Sequence, residues 1–515
     1  MVFFVAFTGY FIWACVHYGY KGGPFEYTWC DGFGFLCVLY FFIAFGYFYN
    51  YVWCPYIKKP FYNQIVDPTA KNLRQIFEQK LYRWISWIAV LAIIAAFVIY
   101  DTWEEPDRLV SAGGLVVFLI LGFLLSNNRT KINWRTIFSG LVLQFIFGLF
   151  TLRWDTGRAM FQCAGDKVTI FLGYAVEGSK FVYGEYLVDD LKIFAFKAIS
   201  TIYFLGFMIN ILYHLGIMQK IILNLGLLLQ GVMGTSICES VNAAANIFLG
   251  QSEAPLLLKP YLKDLTGSEL HSVMTNGFAS VSGTVLAAYI DFGANAAHLI
   301  TASVMAAPAG LMYSKLMLPE EEETVLNEET IGMAESEYSS VLDAASQGAC
   351  QATQIVLGII ANLIAFIATV YFINGVLGWM GMLVGFTGPE EIWSVELLMG
   401  YIFMPVSFLL GVPWDECQTV GKLIGLKTMV NEFAAFQQFK DADISPRSRI
   451  ITTFALCGFA NPGSMGVMIS ALSTLIPHKT GLVTQHVVRA FVSGTIVCFT
   501  TACIAGMLSS SESTI

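Results

Sequence analysis

Apolar runs of about 20 residues, the length that crosses a bilayer as a helix, recur along this chain from one end to the other. Eleven read as spans: Phe3–Tyr18, Phe33–Val52, Trp84–Tyr100, Leu109–Ser126, Trp134–Leu152, Ala198–Ile217, Leu270–Ile290, Ala296–Tyr313, Ile355–Asn374, Ile450–Leu475 and Val483–Met507. Charged residues make up 13% of the chain and hydrophobic ones 56%. A soluble domain carries roughly 25% charge, so most of this surface is made to face lipid. Backbone in lipid has to satisfy its own hydrogen bonds, which favours helices for spans of this length. The fold class predicted is an all-α polytopic membrane protein.

The net charge of −9 leaves no basic face for a nucleic acid. The eleven cysteines and six histidines show no metal-ligand spacing, and Cys238, Cys350, Cys417, Cys457, Cys498 and Cys503 read as small packing residues. The opening MVFFVAFTGYFIWAC lacks a basic n-region and a cleavage site, and reads as the first span. Basic loops follow the second span (Lys58, Lys59, Lys71, Arg74, Lys80, Arg83) and the fourth (Arg129, Lys131, Arg135), whereas Asp101–Arg108 between them is mostly acidic. Positive loops stay inside. The N-terminus is therefore expected in the cytoplasm, the C-terminal SSSESTI outside, and the acidic loop Glu320–Asp343 inside. Gly157–Leu187 and Trp393–Pro413 read as helices lying at the interface.

Two stretches are too polar and too broken to cross as single helices. GTSICESVNAAANIFLGQSEAPLLLKPYL lies between the sixth and seventh spans, and VPWDECQTVGKLIGLKTMVNEFAAFQQF between the ninth and tenth. They read as copies. Glu239 precedes Glu253, as Glu416 precedes Glu432. Gly277-Phe278-Ala279-Ser280 follows the first stretch and Gly458-Phe459-Ala460-Asn461 the second. Three crossings separate the starts of the two units, so the second is inverted, which is a transporter architecture. Broken backbone at membrane depth survives only against protein or a water-filled cavity. Each stretch is therefore drawn as a re-entrant hairpin.

A charge at the bilayer centre costs on the order of 2.5–3.5 kcal/mol on insertion scales, so Glu253 and Glu432 need a reason to be there. Either can be a structural carboxylate paired with Lys259, Lys422 or Lys427, or can lie shallow at an interface. Matching places in two repeats, each beside an amide (Gln251, Asn431), favour a ligand site. Carboxylates accept and amides both donate and accept, which suits a neutral ligand rich in hydroxyls and ring nitrogens. Asn246, Ser280 and carbonyls freed near Gly250 are the neutral oxygens a hard cation takes, although buried Ser and Asn also bond neighbouring helices.

NIFLGQSEAPLL, GFASVSGTVLAAY, ASVMAAP, VNEFAAF and ALCGFANPGSMG, in this order, resemble the concentrative nucleoside transporter family, strongly from Leu187 to Met507 and weakly from Leu109 to Tyr186. The three extra N-terminal spans look like those of animal members. The resemblance implies nucleobase contacts at Gln251, Ser252, Glu253 and Val285, and ribose contacts at Glu432, Asn461 and Ser464 with Phe459 close by. It implies a Na+ site at Asn246, Leu249, Ser280 and Val281. Positions Gly250, Gln251, Thr284 and Val285 carry base selectivity in the family: here Gly250 leaves room beside the base, Gln251 can both donate and accept, and Thr284-Val285 resembles the purine-tolerant pattern. Ser252 stands where the family usually has Thr, and Pro462-Gly463 where bulkier residues are common.

The resemblance further implies a homotrimer in the plasma membrane, with a scaffold and a mobile transport domain working as an elevator. The chain divides accordingly into three N-terminal helices (1–105), scaffold with interfacial helix (106–235), first transport repeat (236–318), acidic loop with scaffold helix (319–412) and second transport repeat (413–509). The expected function is Na+-coupled import of purine and pyrimidine nucleosides, with no cofactor beyond the coupling ion. The rivals are proton coupling in the same family, a channel, and an intramembrane enzyme using Glu253 and Glu432 as acid and base.

Overall fold

The computed structural model describes residues 2–21, 29–48, 80–191, 193–197, 199–259, 261–322, 338–386 and 392–510, and every regular element among them is helical. Lys58, Lys59, Lys71, Arg74 and most of the acidic loop lie outside the described residues. Contacts divide the chain into residues 1–96 and 97–515. In the first unit, helices Val2–Lys21 and Gly32–Phe48 run antiparallel on an aromatic ladder. Phe4 meets Tyr47 at 4.5 Å, Phe11 stacks on Tyr40 at 4.1 Å, and Tyr18 meets Phe33 at 4.9 Å. The rungs recur every seven residues on both helices, the spacing that keeps one seam facing its partner. Each aromatic pair adds roughly 0.5–1.5 kcal/mol beyond its buried area.

At the centre of the second unit stand Ala296–Met317 and Thr480–Leu508. Every residue from Ser493 to Ser509 is buried. Small residues such as Gly494, Ala502 and Gly506 let neighbouring backbones close on this helix. Gly267–Ala279, Pro446–Leu456 and Leu109–Leu124 all pack on it. Among the described elements Val341–Leu383 has 43 residues and is about 65 Å long. Its Leu357, Ile364 and Tyr371 are exposed, a lipid-facing pattern. Val395–Leu410 packs along Cys417–Met429, where a Cβ on Gly421 would come within 2.6 Å of the Gly400 carbonyl oxygen.

Polar ties gather the helix ends. Arg153 and Arg108 both pair with Asp101, at 2.6 and 2.5 Å, and Arg108 Nε donates to the Met507 carbonyl at 2.8 Å. These are ends the charge pattern puts on one side. Asn128 Nδ2 donates to Glu321 at 2.9 Å, joining two loops assigned to the other.

Several expectations change. The expected span Leu270–Ile290 is not one helix: it breaks at Ser280–Ser282, with Ser280 extended (φ −119°, ψ 168°), before Leu286–Asp291. Ile450–Leu475 breaks at Cys457–Asn461, because Asn461 caps the next helix by accepting from Ser464 N at 2.8 Å and Pro462 opens it. Apolar length hid both breaks. Ile217–Met233 is a further apolar helix not among the expected spans, and Trp393–Pro413 holds the apolar helix Val395–Leu410. The helix expected over Gly157–Leu187 runs over Asp155–Tyr183 and stops at Gly184 (φ +87°), before the short turn Tyr186–Asp190. Cys350 is exposed rather than packed, while Cys238, Cys417, Cys457, Cys498 and Cys503 are buried.

Candidate functional site

The same order of elements occurs twice. Arm Ile237–Ala245, an irregular tip, the turn Ala254–Leu258, helix Gly267–Ala279, a break, helix Leu286–Asp291 and the long Ala296–Met317 make the first set. Arm Cys417–Met429, a tip, arm Glu432–Phe439, helix Pro446–Leu456, a break, helix Pro462–Leu475 and the long Thr480–Leu508 make the second. Local chemistry explains the starts. Ser236 and Glu239 form a capping box on the first arm. At the second tip Asn431 Oδ1 accepts from Ala434 N at 3.0 Å, which turns the chain and presents Glu432 at the head of its arm.

The two breaks meet. Phe459 N donates to the Ser280 carbonyl at 3.2 Å, and Cys498 Sγ lies 3.7 Å from the Ala279 carbonyl and 3.4 Å from that of Cys457. The glycines of the paired Gly-Phe-Ala motifs make this crossing possible. A Cβ on Gly458 would lie 2.5 Å from Cys498 Sγ and 2.9 Å from the Phe278 carbonyl oxygen; one on Gly277 would lie 2.6 Å from Met468 Cε and 2.9 Å from Gln251 Cβ.

Beside the crossing lies a cavity of about 320 Å³, of ligand-binding size. The first set supplies Gly250, Gln251, Ser252, Glu253 and Val285; the second supplies Glu432, Phe459, Asn461 and Ser464, together with Asn431, Phe433 and Val467. All eight sequence-predicted ligand residues therefore line one cavity. The remaining wall includes Ile355, Gly358 and Ile359 of the long helix Val341–Leu383, which the sequence did not reveal. The side chain of Thr284 lies outside the described part of the structure.

Neither carboxylate takes the lysine-paired form weighed above as its alternative. Glu253 Oε2 accepts from Gly250 N at 3.0 Å. Glu432, 3% exposed, accepts from Tyr289 OH on Oε1 (3.2 Å) and from Asn461 Nδ2 on Oε2 (2.9 Å). Lys427 instead donates to the Ala455 carbonyl at 2.8 Å. Lys315 pairs instead with Glu239, in the first turn of Ile237–Ala245, at 2.9 Å and with Glu320 at 3.0 Å. Glu416, just before Cys417–Met429, accepts from Ser445 N and Oγ, both at 3.1 Å. Gln251 Nε2 reaches the Ser464 carbonyl at 3.5 Å, joining the two sets across the cavity. Tyr289 closes the motif GFASVSGTVLAAY, but its partnership with Glu432 crosses 143 residues, and no local pattern points to it.

The cation candidates gather where the first tip meets the first break. Gly283 N donates to the Phe248 carbonyl at 3.1 Å, pinning Asn246–Leu249 to Ser280–Val281. All four are buried. Asn246 Nδ2 is taken by the Asn242 carbonyl at 2.9 Å, which leaves its buried Oδ1 without a hydrogen-bond donor. Ser280 Oγ donates to the Asn276 carbonyl at 2.9 Å and keeps its lone pairs. Neutral oxygens freed at a helix break are the donor set for Na+ rather than for a transition metal.

A multi-span helical bundle with two broken, polar-tipped repeats around one cavity defines a membrane transporter for a small polar solute. The sequence matches family patterns described as "Na+ dependent nucleoside transporter C-terminus" over residues 298–506, "Na+ dependent nucleoside transporter N-terminus" over 113–186, and "Nucleoside recognition" over 195–296. It is 41% identical to the rabbit (Oryctolagus cuniculus) Sodium/nucleoside cotransporter 1 over 461 residues, 86% of this chain and 68% of that one. Identity to the rat (Rattus norvegicus) Sodium/nucleoside cotransporter 2 is 38% over 476 residues, 88% of this chain and 71% of the relative. The fold matches the solved structure of CNTnw in an inward-facing substrate-bound state with TM-score 0.75 and 35% identity, covering 79% of this chain and 100% of the other. The chain belongs to the concentrative, Na+-dependent nucleoside transporter family: it is a Na+/nucleoside cotransporter and not an enzyme.

Proposed function

We propose that this chain imports purine and pyrimidine nucleosides alike, binding each in the cavity between the two repeats. One observation carries the reading: Glu253 with Gln251 from the first repeat and Glu432 with Asn461 from the second line the same cavity. Gln251, Ser252, Glu253 and Val285 meet the base. Glu432, Asn461 and Ser464 meet the ribose, with Phe459 against the sugar. Gln251 Oε1 is buried without a hydrogen-bond donor, so its amide can follow the differing edges of uracil, cytosine and adenine.

Gly250 sets the room for the base. A Cβ there would lie 3.3 Å from Ser282 Cβ and 3.6 Å from Glu253 Oε2, so a serine hydroxyl overfills the corner and pushes on the carboxylate. Adenosine, cytidine and guanosine are expected to compete with labelled uridine. Gly250→Ser is expected to reduce adenosine uptake roughly tenfold more than uridine uptake, the size of a small steric change in a pocket. Failure of adenosine to compete, or an even loss in the variant, sinks the broad-selectivity reading.

Na+ binds at Asn246, Ser280 and the Leu249 and Val281 carbonyls in this proposal. Sharing the first hairpin with the base makes each ligand improve the other's site. Ser280→Ala removes one oxygen and is expected to raise the Na+ concentration for half-maximal uridine uptake roughly fivefold. An unaltered Na+ curve takes the hydroxyl out of the site.

The repeats (236–318 and 413–509) are proposed to move as one carrier against scaffold segments 106–235 and 319–412. The hairpins would be re-entrant and the N-terminus cytoplasmic, in a plasma-membrane homotrimer. Ile355 and Ile359 support this, since they give the carrier an apolar wall to slide along. Three chains rather than one in the detergent-solubilised particle is the outcome that supports the trimer.

A further inference from the structure

Glu432 is held from two directions by groups of different repeats. Asn461 Nδ2 holds Oε2, and Asn461 is itself fixed by its cap on Ser464 N. Tyr289 OH, from the half-helix after the first repeat's break, holds Oε1. Tyr289 is fully buried and is not among the residues lining the cavity. Its ring stacks on Phe436 at 4.6 Å and leans on Phe433 at 5.2 Å, two residues of the arm that Glu432 begins. The phenol oxygen therefore cannot swing away without unstacking the ring.

We propose that Tyr289 is a positioning residue that makes the transporter select an intact vicinal diol; this rests on the ribose assignment of Glu432 above. A carboxylate offers about four lone-pair sites. Tyr289 and Asn461 take one on each oxygen, which fixes the carboxylate plane and leaves one acceptor on each oxygen for the ligand. Two neighbouring hydroxyls need both acceptors at a fixed orientation. A ligand with neither hydroxyl has no use for them. Because the clamp joins the repeats, the diol is read only when the first half-helix and the second hairpin are seated together.

Tyr289→Phe keeps the stacked ring and removes only the donor. The KM for uridine is expected to rise roughly tenfold, the loss of a hydrogen bond near the upper end of the usual range. The KM for 2′,3′-dideoxyuridine and the maximal uridine rate should each change less than about twofold. If the variant is scarce at the cell surface, thermal stabilisation of the purified protein by the same two nucleosides reads the same ratio without transport. An unchanged uridine-to-dideoxyuridine ratio, or an equal loss for both, overturns the role. Glu432→Gln is measured alongside. If it alters the ratio and Tyr289→Phe does not, the clamp is wrong and the ribose assignment stands. If Glu432→Gln leaves the ratio unaltered, both fall.

Discussion

Glu432→Gln is expected to lower uridine uptake efficiency, Vmax/KM, at least about a hundredfold while membrane abundance stays unchanged. Hydrogen bonds to a charged group are worth roughly 1.5–3 kcal/mol each. A diol on the carboxylate makes two, so about 3–6 kcal/mol is at stake, or roughly 10²–10⁴ in binding. The amide also turns one acceptor into a donor, facing either Asn461 Nδ2 or Tyr289 OH, which already donate. Removing hydroxyls from the ligand should shrink the loss stepwise from uridine to 2′-deoxyuridine to 2′,3′-dideoxyuridine. The same loss for all three would show that Glu432 supports the site without touching the sugar.

Gly458→Ala is expected to be damaging without altering any polar group. The added carbon meets Cys498 Sγ at 2.5 Å and the Phe278 carbonyl oxygen at 2.9 Å, and the carbonyl belongs to backbone that cannot simply turn aside. Overpacking of this kind costs typically 1–3 kcal/mol, or roughly 5- to 150-fold in an equilibrium constant. The contact lies between the cation candidates at Ser280–Val281 and the ribose candidates at Phe459–Asn461, which share the bond from Phe459 N to the Ser280 carbonyl. Uridine KM and the Na+ concentration for half-maximal uptake should therefore both rise. Gly466→Ala is the control, since a Cβ there meets nothing within 4 Å, and it should transport normally. Wild-type uptake by Gly458→Ala would contradict the close crossing of the two breaks.

What the sequence revealed follows from the range of its interactions. Long apolar runs gave the membrane class, since hydropathy is a local property. Glu253 and Glu432 stood out because a charge in an apolar stretch demands explanation. The equivalence of Gly277-Phe278-Ala279 and Gly458-Phe459-Ala460 was readable as a repeat. Their meaning as a crossing was not, because the Phe459–Ser280 bond spans the whole distance between the repeats. The breaks at Ser280 and Cys457 do not show in hydropathy, because the residues around them, Val281, Ala279 and Phe459 among them, are as apolar as a continuous helix. Nothing local in the sequence separates Tyr289 from Tyr313, which bonds the Phe118 carbonyl at 2.9 Å; only the approach of Tyr289 to Glu432 does. The wall formed by Ile355 and Ile359 has no polar mark at all.

The position of bound uridine tests the assignment of the cavity most directly. An experimental structure of this chain with uridine and Na+ is expected to show the uracil ring against Gln251, Ser252 and Glu253. The ribose hydroxyls should lie within hydrogen-bond distance of Glu432 and Asn461. Uridine reversed in the cavity, or lodged away from the two carboxylates, would contradict it.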